Sequence, residues 1–265
     1  MESVVAFWNA RPCNIRHGTA ELGTKEYFDQ VEQRKYFVEP HIPRFAEFEK
    51  WKGQNVLEIG CGIGTDTLQF MKAGANITAI DISEESVRLA RQRAQVFGFS
   101  TDQILVQNAE TFSFPKNFDL IYSFGVIHHT PNPRAIIERA ALHQVQGQEL
   151  RIMLYSKFSY KLFWAMHTKN AWNFCQMNDT IREFAEAQNG CPIAYTYTFD
   201  EIQTLLEPYY VIEDIHKDHV FKWNTEKYVQ HEYEIDEVFK DMTPENFRAL
   251  EKELGWHTLV KAKRV

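Results

Sequence analysis

The sequence predicts an α/β fold built on a mainly parallel, doubly wound sheet, and three observations carry that prediction. Between residues 55 and 152, short β-branched or apolar runs alternate with longer segments of helical period, the pattern that lays helices on both faces of one sheet. The first of these runs closes on a glycine cluster, Gly60, Gly62 and Gly64, and the second closes on a carboxylate, Asp81. Both features fall at the carboxyl ends of strands, where sheets of this kind hold ligands.

Residues 55–59 (NVLEI) read as the first strand, and residues 66–72 as a helix that stops at Gly74. Residues 76–80 (NITAI) form a second strand ending on Asp81. Ser83 then caps a helix through residue 97, with Glu85 close behind it and Val87, Leu89, Ala90 and Ala94 facing inward. Residues 104–107 and 118–123 supply the third and fourth strands. A helix over 133–142 opens on Pro133, whose missing amide proton costs little in a first turn. Residues 149–155 (ELRIMLY) are the fifth strand, 199–206 a helix, 210–215 a strand and 256–262 the terminal strand.

Two stretches, 156–198 and 217–254, are too long for plain connections in a compact domain. They are expected to form insertions, a lid or a substrate wall on one edge. The first 50 residues, rich in aromatics and positive charge, are expected to fold back over the sheet end. The predicted organisation is one domain over residues 1–265, with a cap at 1–50, a ligand-binding core at 51–155 and the two insertions.

Composition bounds the function. Of 265 residues, 44% are hydrophobic, 25% charged and 14% aromatic, which excludes a disordered chain. The net charge of −7 argues against a nucleic-acid partner, which calls for a basic stripe. Four cysteines without a CxxC pair fit neither a disulfide framework nor a zinc ribbon. The first residues lack a basic region followed by an apolar run, and no stretch approaches 18 consecutive apolar residues. The expectation is a soluble, cytoplasmic protein with reduced thiols and no membrane span.

The glycine loop follows a strand and opens a helix, the context of a nucleotide-binding loop. A dinucleotide fingerprint G-x-G-x-x-G requires glycine at position 65, where Thr65 stands; the third glycine is Gly64. The spacing therefore favours a ligand without phosphates. Asp81 can accept both hydroxyls of a ribose; alternatively it is a charge placed ahead of a helix N-terminus. Asn108-Ala109-Glu110, after the third strand, can read an adenine edge or form an ordinary solvated loop.

Taken in order, Glu58-Ile59-Gly60-Cys61-Gly62-Ile63-Gly64, Asp81, Asn108-Ala109-Glu110 and Phe118-Asp119-Leu120-Ile121-Tyr122-Ser123-Phe124-Gly125-Val126-Ile127-His128-His129 resemble the successive motifs of class I S-adenosylmethionine-dependent methyltransferases. The resemblance covers roughly residues 50 to 155. It implies a Rossmann-like seven-stranded sheet of order 3-2-1-4-5-7-6 with the last strand antiparallel, and S-adenosylmethionine as cofactor. By position, Gly60, Cys61 and Gly62 would lie against the amino-acid part of the cofactor and Asp81 would hold its ribose. Ile82 would pack on adenine, with Ala109 and Glu110 at its edge. Glu58 would organise the loop or meet the methionine amine through water. Gly64 and Phe124 complete the cofactor set. Asn108 departs from the family, which often has Asp there.

Methyl transfer from a sulfonium asks for orientation, desolvation and, for a hydroxyl or ammonium acceptor, removal of a proton. His128 and His129, just beyond the fourth strand, are the candidates for that base, His128 slightly preferred; the competing reading is that the pair braces the loop. Tyr27, Arg34 and Tyr36 belong to the segment expected to cover the cofactor, where Tyr can stack and Arg34 can clamp a carboxylate, or all three can simply pack. His17, in the N-terminal cap, and Tyr195 and His219, in insertions whose aromatic and imidazole groups suit either an aromatic-walled pocket or a second core, are the candidate substrate contacts. His216 and His219 lie near Asp214 and Asp218, but no HxxxH or HExxH frame exists, so no metal ligands are assigned. The sequence thus reads as a methyltransferase acting on a small organic acceptor at oxygen or nitrogen. The alternative is a non-catalytic S-adenosylmethionine-binding or regulatory protein on the same fold. Oligomeric state is not legible.

Overall fold

A computed structural model describes residues 1–186 and 190–265; residues 187–189, inside the first expected insertion, lie outside the described residues. The strands are β1 (Asn55–Ile59), β2 (Asn76–Asp81), β3 (Ile104–Val106), β4 (Leu120–Phe124), β5 (Glu149–Tyr155), β6 (Tyr210–Asp218) and β7 (His257–Arg264). They form one sheet of order β3-β2-β1-β4-β5-β7-β6, the order the resemblance implies. β7 runs antiparallel to both β5 and β6, and the pairings from β3 to β5 are parallel.

Strands buried on both faces carry apolar residues at nearly every position, because alternate side chains meet different helix layers. Val56, Leu120 and Tyr122 point to one face, under Phe70 of α4 (Thr65–Lys72) and Val87, Ala90 and Ala94 of α5 (Glu84–Val96). Leu57, Ile59 and Ile121 point to the other, under Ile136, Ile137 and Ala140 of α6 (Pro133–Leu142) and Ile202 and Leu206 of α9 (Phe199–Leu206). Each such fully buried aliphatic or aromatic side chain contributes about 1.5–3 kcal/mol. The helix starts follow local chemistry: Ser83 accepts from the Ser86 amide, and Thr198 with Glu201 forms a reciprocal capping box.

Element boundaries shift slightly from those read in the sequence. β6 continues to Asp218 because its pairing with β7 persists to His257. Before the sheet come α1 (Glu2–Ala10), α2 (Lys25–Val38) and α3 (His41–Ala46). Between β5 and α9 lie α7 (Tyr160–Lys169) and α8 (Met177–Phe184); between β6 and β7 lie α10 (Thr225–Tyr228) and α11 (Pro244–Leu254). A third apolar cluster, Tyr27, Phe28, Val31, Ile63 and Leu89, fastens α2 to the glycine loop and α5. The buried Arg93 adds a polar tie by donating to Thr65 and to the Phe28 carbonyl. Among the described residues, no helix is long and apolar enough to cross a membrane.

Candidate active site

The carboxyl ends of β1, β2, β4 and β5, covered by α1 and both insertions, enclose a cavity of about 560 Å³. That falls within the range of small-molecule sites, roughly 300–1,000 Å³. At one end lies the glycine loop. The Gly60 and Cys61 amides both donate to the Ile80 carbonyl, at 2.7 and 3.0 Å, turning the chain sharply out of β1. Gly60 has φ +77°, and a Cβ there would fall 2.1 Å from the Val126 side chain. Gly62, at φ +51°, borders the cavity, and a Cβ there would meet nothing within 4 Å. The glycines thus serve different needs: close chain approach at Gly60, open space above the loop at Gly62. Gly64 faces away from the cavity, its Cβ position 3.0 Å from Ala90 of α5.

Asp81 ends β2 with one carboxylate oxygen accepting the Gly62 amide and the other the Ser83 amide, each at 2.9 Å. It thereby fixes the loop and still faces the cavity. Burial pushes its pKa up, opposed by those backbone donors. Next to it Glu58 accepts from the Thr67 hydroxyl. Burial, reinforced by the nearby Asp66 charge, raises Glu58 to about 8. Asp66 itself accepts from Lys35 at 2.7 Å, Tyr36 at 2.9 Å and Tyr122 at 3.0 Å. Burial and then the Asp66 charge raise both tyrosines well above their ordinary value, so both remain neutral donors.

The two adjacent histidines sit in different surroundings. His128 is wholly buried, does not border the cavity, packs tilted on Tyr155 at 3.7 Å between centroids, and has neither ring nitrogen hydrogen-bonded. His129 borders the cavity. Its Nδ1 faces the Ile193 carbonyl at 2.7 Å, and its Nε2 faces Glu186 at 3.3 Å and the Tyr155 hydroxyl at 3.4 Å. Tyr155 also donates to Glu186. Burial opposes charge on the ring, but Cys191 and Glu186 outweigh it and raise His129 to about 10. Glu186, likewise against burial, is lowered to about 2 by His129, Lys161 and Tyr155. His129 is therefore an imidazolium at neutral pH, with acceptors facing both ring nitrogens.

Of the other residues singled out in the sequence, Cys61, Ile82, Asn108, Ala109, Phe124, His17 and His219 border the cavity. Glu110 does not; its carboxylate accepts the Asn132 amide at the start of α6, 2.7 Å away. Tyr27 is in the core and donates to the Ile15 carbonyl at 2.8 Å. Arg34 is buried, donates to the Tyr228 carbonyl at 2.6 Å and lies over the Tyr228 ring. Tyr36 points at Asp66, and Tyr195 is exposed, its amide bonded to the His128 carbonyl. None of these five borders the cavity. Burial first, then nearby positive or imidazole charge, lowers His17 and His219 to about 3.

Sequence reasoning overlooked Lys35, Glu39, Asp66, Tyr155, Lys161, Glu186 and His257, which come from separate elements and carry no local motif; all seven border the cavity. It also underrated α1. Asn9 accepts from the Ser83 hydroxyl at 2.9 Å, and Trp8 meets the His129 ring edge-on at 5.5 Å, so this helix joins the loop after β2 to the histidine.

Comparison with known proteins decides the family. A family model described as a methyltransferase domain matches residues 50–230. The chain belongs to the S-adenosylmethionine-dependent methyltransferases of class I fold. Among curated relatives, the ubiquinone biosynthesis O-methyltransferase of Actinobacillus pleuropneumoniae is 36% identical over 92 residues, covering 32% of this chain and 39% of that protein. The counterpart from Idiomarina loihiensis is 31% identical over 90 residues, covering 34% and 37%. The match thus spans well under half of these relatives' length. Among solved structures, magnesium protoporphyrin IX methyltransferase from Synechocystis with bound SAH superposes with TM-score 0.63 at 15% identity, covering 99% of this chain and 98% of that one. The N-methyltransferase NodS from Bradyrhizobium japonicum with S-adenosylhomocysteine gives 0.52 at 13%, covering 87% of each. For this methyltransferase these structural likenesses establish the fold.

Proposed function

We propose that this methyltransferase binds S-adenosylmethionine across the glycine loop and Asp81 and passes the methyl group to a small organic acceptor at oxygen or nitrogen. The observation that carries the reading is the single cavity shared by Gly60, Cys61, Gly62 and Asp81 at one end and aromatic residues of both insertions, Trp164, Phe221 and Trp223 among them, at the other. The O-methyltransferase relatives favour oxygen as the acceptor atom. Asp81 takes the ribose, Ile82 with Asn108 and Ala109 the adenine, and the loop glycines with Glu58 the methionine end.

At the reacting centre the sulfonium loses its positive charge as the methyl carbon bonds to the acceptor, so the chain's work is to align the two at roughly 3–3.5 Å and keep water away. His129, whose two ring nitrogens already face the Ile193 carbonyl and Glu186, contributes positive charge at the cavity wall and does not take the acceptor's proton, since it already holds one at neutral pH. His17 and His219 are neutral there but bind a proton too weakly to be efficient bases. His128 braces the loop through its ring contact with Tyr155.

Calorimetric titration with S-adenosylmethionine and S-adenosylhomocysteine, for wild type and Asp81→Ala, tests the cofactor site. Micromolar binding lost in the variant is expected. A folded wild type that binds neither refutes the reading. Mass gain of one labelled methyl group across a panel of phenols, alcohols and amines then tests the acceptor class, and turnover only on a protein or nucleic acid would overturn it.

A further inference from the structure

Outside the cofactor end, one cluster of donors goes unused by this reading. Glu39, His41 and His257 bring one carboxylate oxygen and two imidazole nitrogens within 4.8 Å of one another. His41 Nε2 and His257 Nδ1 stand 3.0 Å apart, and Glu39 Oε1 is 3.7 Å from His257 Nδ1. Both histidines are buried, at 2% and 4% exposure, and Glu39 and His257 border the cavity.

The donors come from two places. Glu39 follows α2 and His41 opens α3, so the tripeptide Glu39-Pro40-His41 supplies two of them. His257 begins β7, and because β7 is antiparallel, that beginning lies beside Tyr155 at the carboxyl end of β5. This is the edge where ligand chemistry collects. His219, at φ +68°, stacks on His257 at 4.6 Å and backs the group. On the other side Asp218 holds Arg248 through two hydrogen bonds at 2.7 and 2.8 Å.

We propose that Glu39, His41 and His257 form a site for a divalent first-row transition ion, zinc or its neighbours in the series. Two imidazoles and one carboxylate suit borderline cations, and three protein donors leave a position for an external ligand. The spacing agrees. Donors about 2.1 Å from an ion lie about 3.4 Å apart when tetrahedral and about 3.0 Å when octahedral, against 3.0 and 3.7 Å for the two closest approaches. The 4.8 Å span exceeds the roughly 4.2 Å available across an ion by about half an ångström, which a rotation of the Glu39 side chain supplies. The neighbouring Lys35 is committed to Asp66 at 2.7 Å.

A cation there would lower the pKa of a coordinated hydroxyl, which would suit an oxygen acceptor. That role rests on the proposed methyl transfer; cation binding does not.

The test is equilibrium dialysis of the full, tag-free chain against Co²⁺ and Zn²⁺, with bound metal counted by elemental analysis and the Co²⁺ visible absorption recorded. One equivalent is expected, with absorption bands showing nitrogen ligation. Glu39→Gln and His41→Gln should each weaken binding at least tenfold, while His216→Ala, at a half-buried position on β6 outside the cluster, should leave it unchanged. Thermal melts identify any variant that fails to fold, and Glu39→Gln, at the less buried position, keeps the test decisive in that event. Absence of stoichiometric binding by wild type, or wild-type affinity in folded Glu39→Gln, overturns the site. Intact Co²⁺ binding with no methyl transfer to any acceptor would instead count against the proposed activity and leave the site standing.

Discussion

Exchanging the loop glycines for alanine one at a time separates what the fold needs from what a ligand needs. At Gly62, φ +51° places alanine in the left-handed region, at a cost of about 1–2 kcal/mol. Nothing in the protein stands within 4 Å of the new methyl group, so no packing penalty adds to it. The melting temperature should fall by roughly 2–8 °C, at about 2–4 °C per kcal/mol for a chain near this size. At Gly60 the same backbone cost applies, and the methyl would lie 2.1 Å from Cγ2 and 2.9 Å from Cβ of Val126. Val126 is β-branched and stiff, so overpacking adds about 1–3 kcal/mol. Gly60→Ala should therefore melt well below Gly62→Ala. Affinity should respond differently: the open space above Gly62 is where the methionine end is proposed to lie, so Gly62→Ala should weaken S-adenosylmethionine at least tenfold, about 1.4 kcal/mol, while remaining folded. Calorimetric titration beside thermal melts measures both. Wild-type affinity in folded Gly62→Ala would refute the placement of the cofactor against this loop.

Other outcomes follow from the site's electrostatics. Glu58, raised to about 8, holds its proton at neutral pH, and a cationic cofactor beside it should drive the proton off. The enthalpy of S-adenosylmethionine binding at pH 7 should therefore vary with the ionisation heat of the buffer, and the variation should vanish in Glu58→Gln; a buffer-independent wild type would remove Glu58 from the methionine end. Asp81→Asn should keep the fold but weaken cofactor binding by about 10- to 100-fold, one or two charge-assisted hydrogen bonds being weakened; retained affinity would argue that Asp81 serves the loop alone. The His129–Glu186 pair gives a pH signature with a definite sign. His129, raised from 6.5 to about 10, stabilises the fold fully below pH 6.5 and loses that contribution as pH rises through 10. Glu186, lowered from 4.5 to about 2, stabilises it above pH 4.5 and loses that contribution as pH falls through 2. The melting difference between wild type and Glu186→Gln should accordingly be largest between pH 4.5 and 6.5 and shrink by pH 10, with the His129 ring titration moving down towards neutrality in NMR spectra. An unmoved ring titration would show that Glu186 does not hold the charge.

The succession of strands and helices along the chain and the loop-bearing face were legible because their causes are local, whereas the order of strands within the sheet came from the family resemblance. A β-branched run, a glycine that alone tolerates φ +77° under Val126, and a serine that caps α5 are each written into a few consecutive residues. The same holds for Asp81, whose position at the end of β2 follows from strand length. Tyr27, Arg34 and Tyr36 show the limit of such reading: their residue types suit a cofactor, yet side-chain direction is set by what packs beside α2, and Ile15, Tyr228 and Asp66 respectively claim their polar groups.

Sequence by itself determined the doubly wound sheet, the place of the glycine loop and the carboxylate that faces it, because periodicity and turn chemistry act over short spans of chain. Tertiary structure alone decided which of two adjacent histidines meets the cavity and which charge it carries. Glu186 lies 57 residues further along the chain from His129, and the desolvation that makes their pairing strong exists only after α8 and β5 have closed around them. The convergence of Glu39, His41 and His257 is likewise a product of assembly, since β7 must pair with β5 before its first residue can reach the end of α2. Burial and Coulomb interaction depend on distance in space, and the linear sequence does not contain that distance.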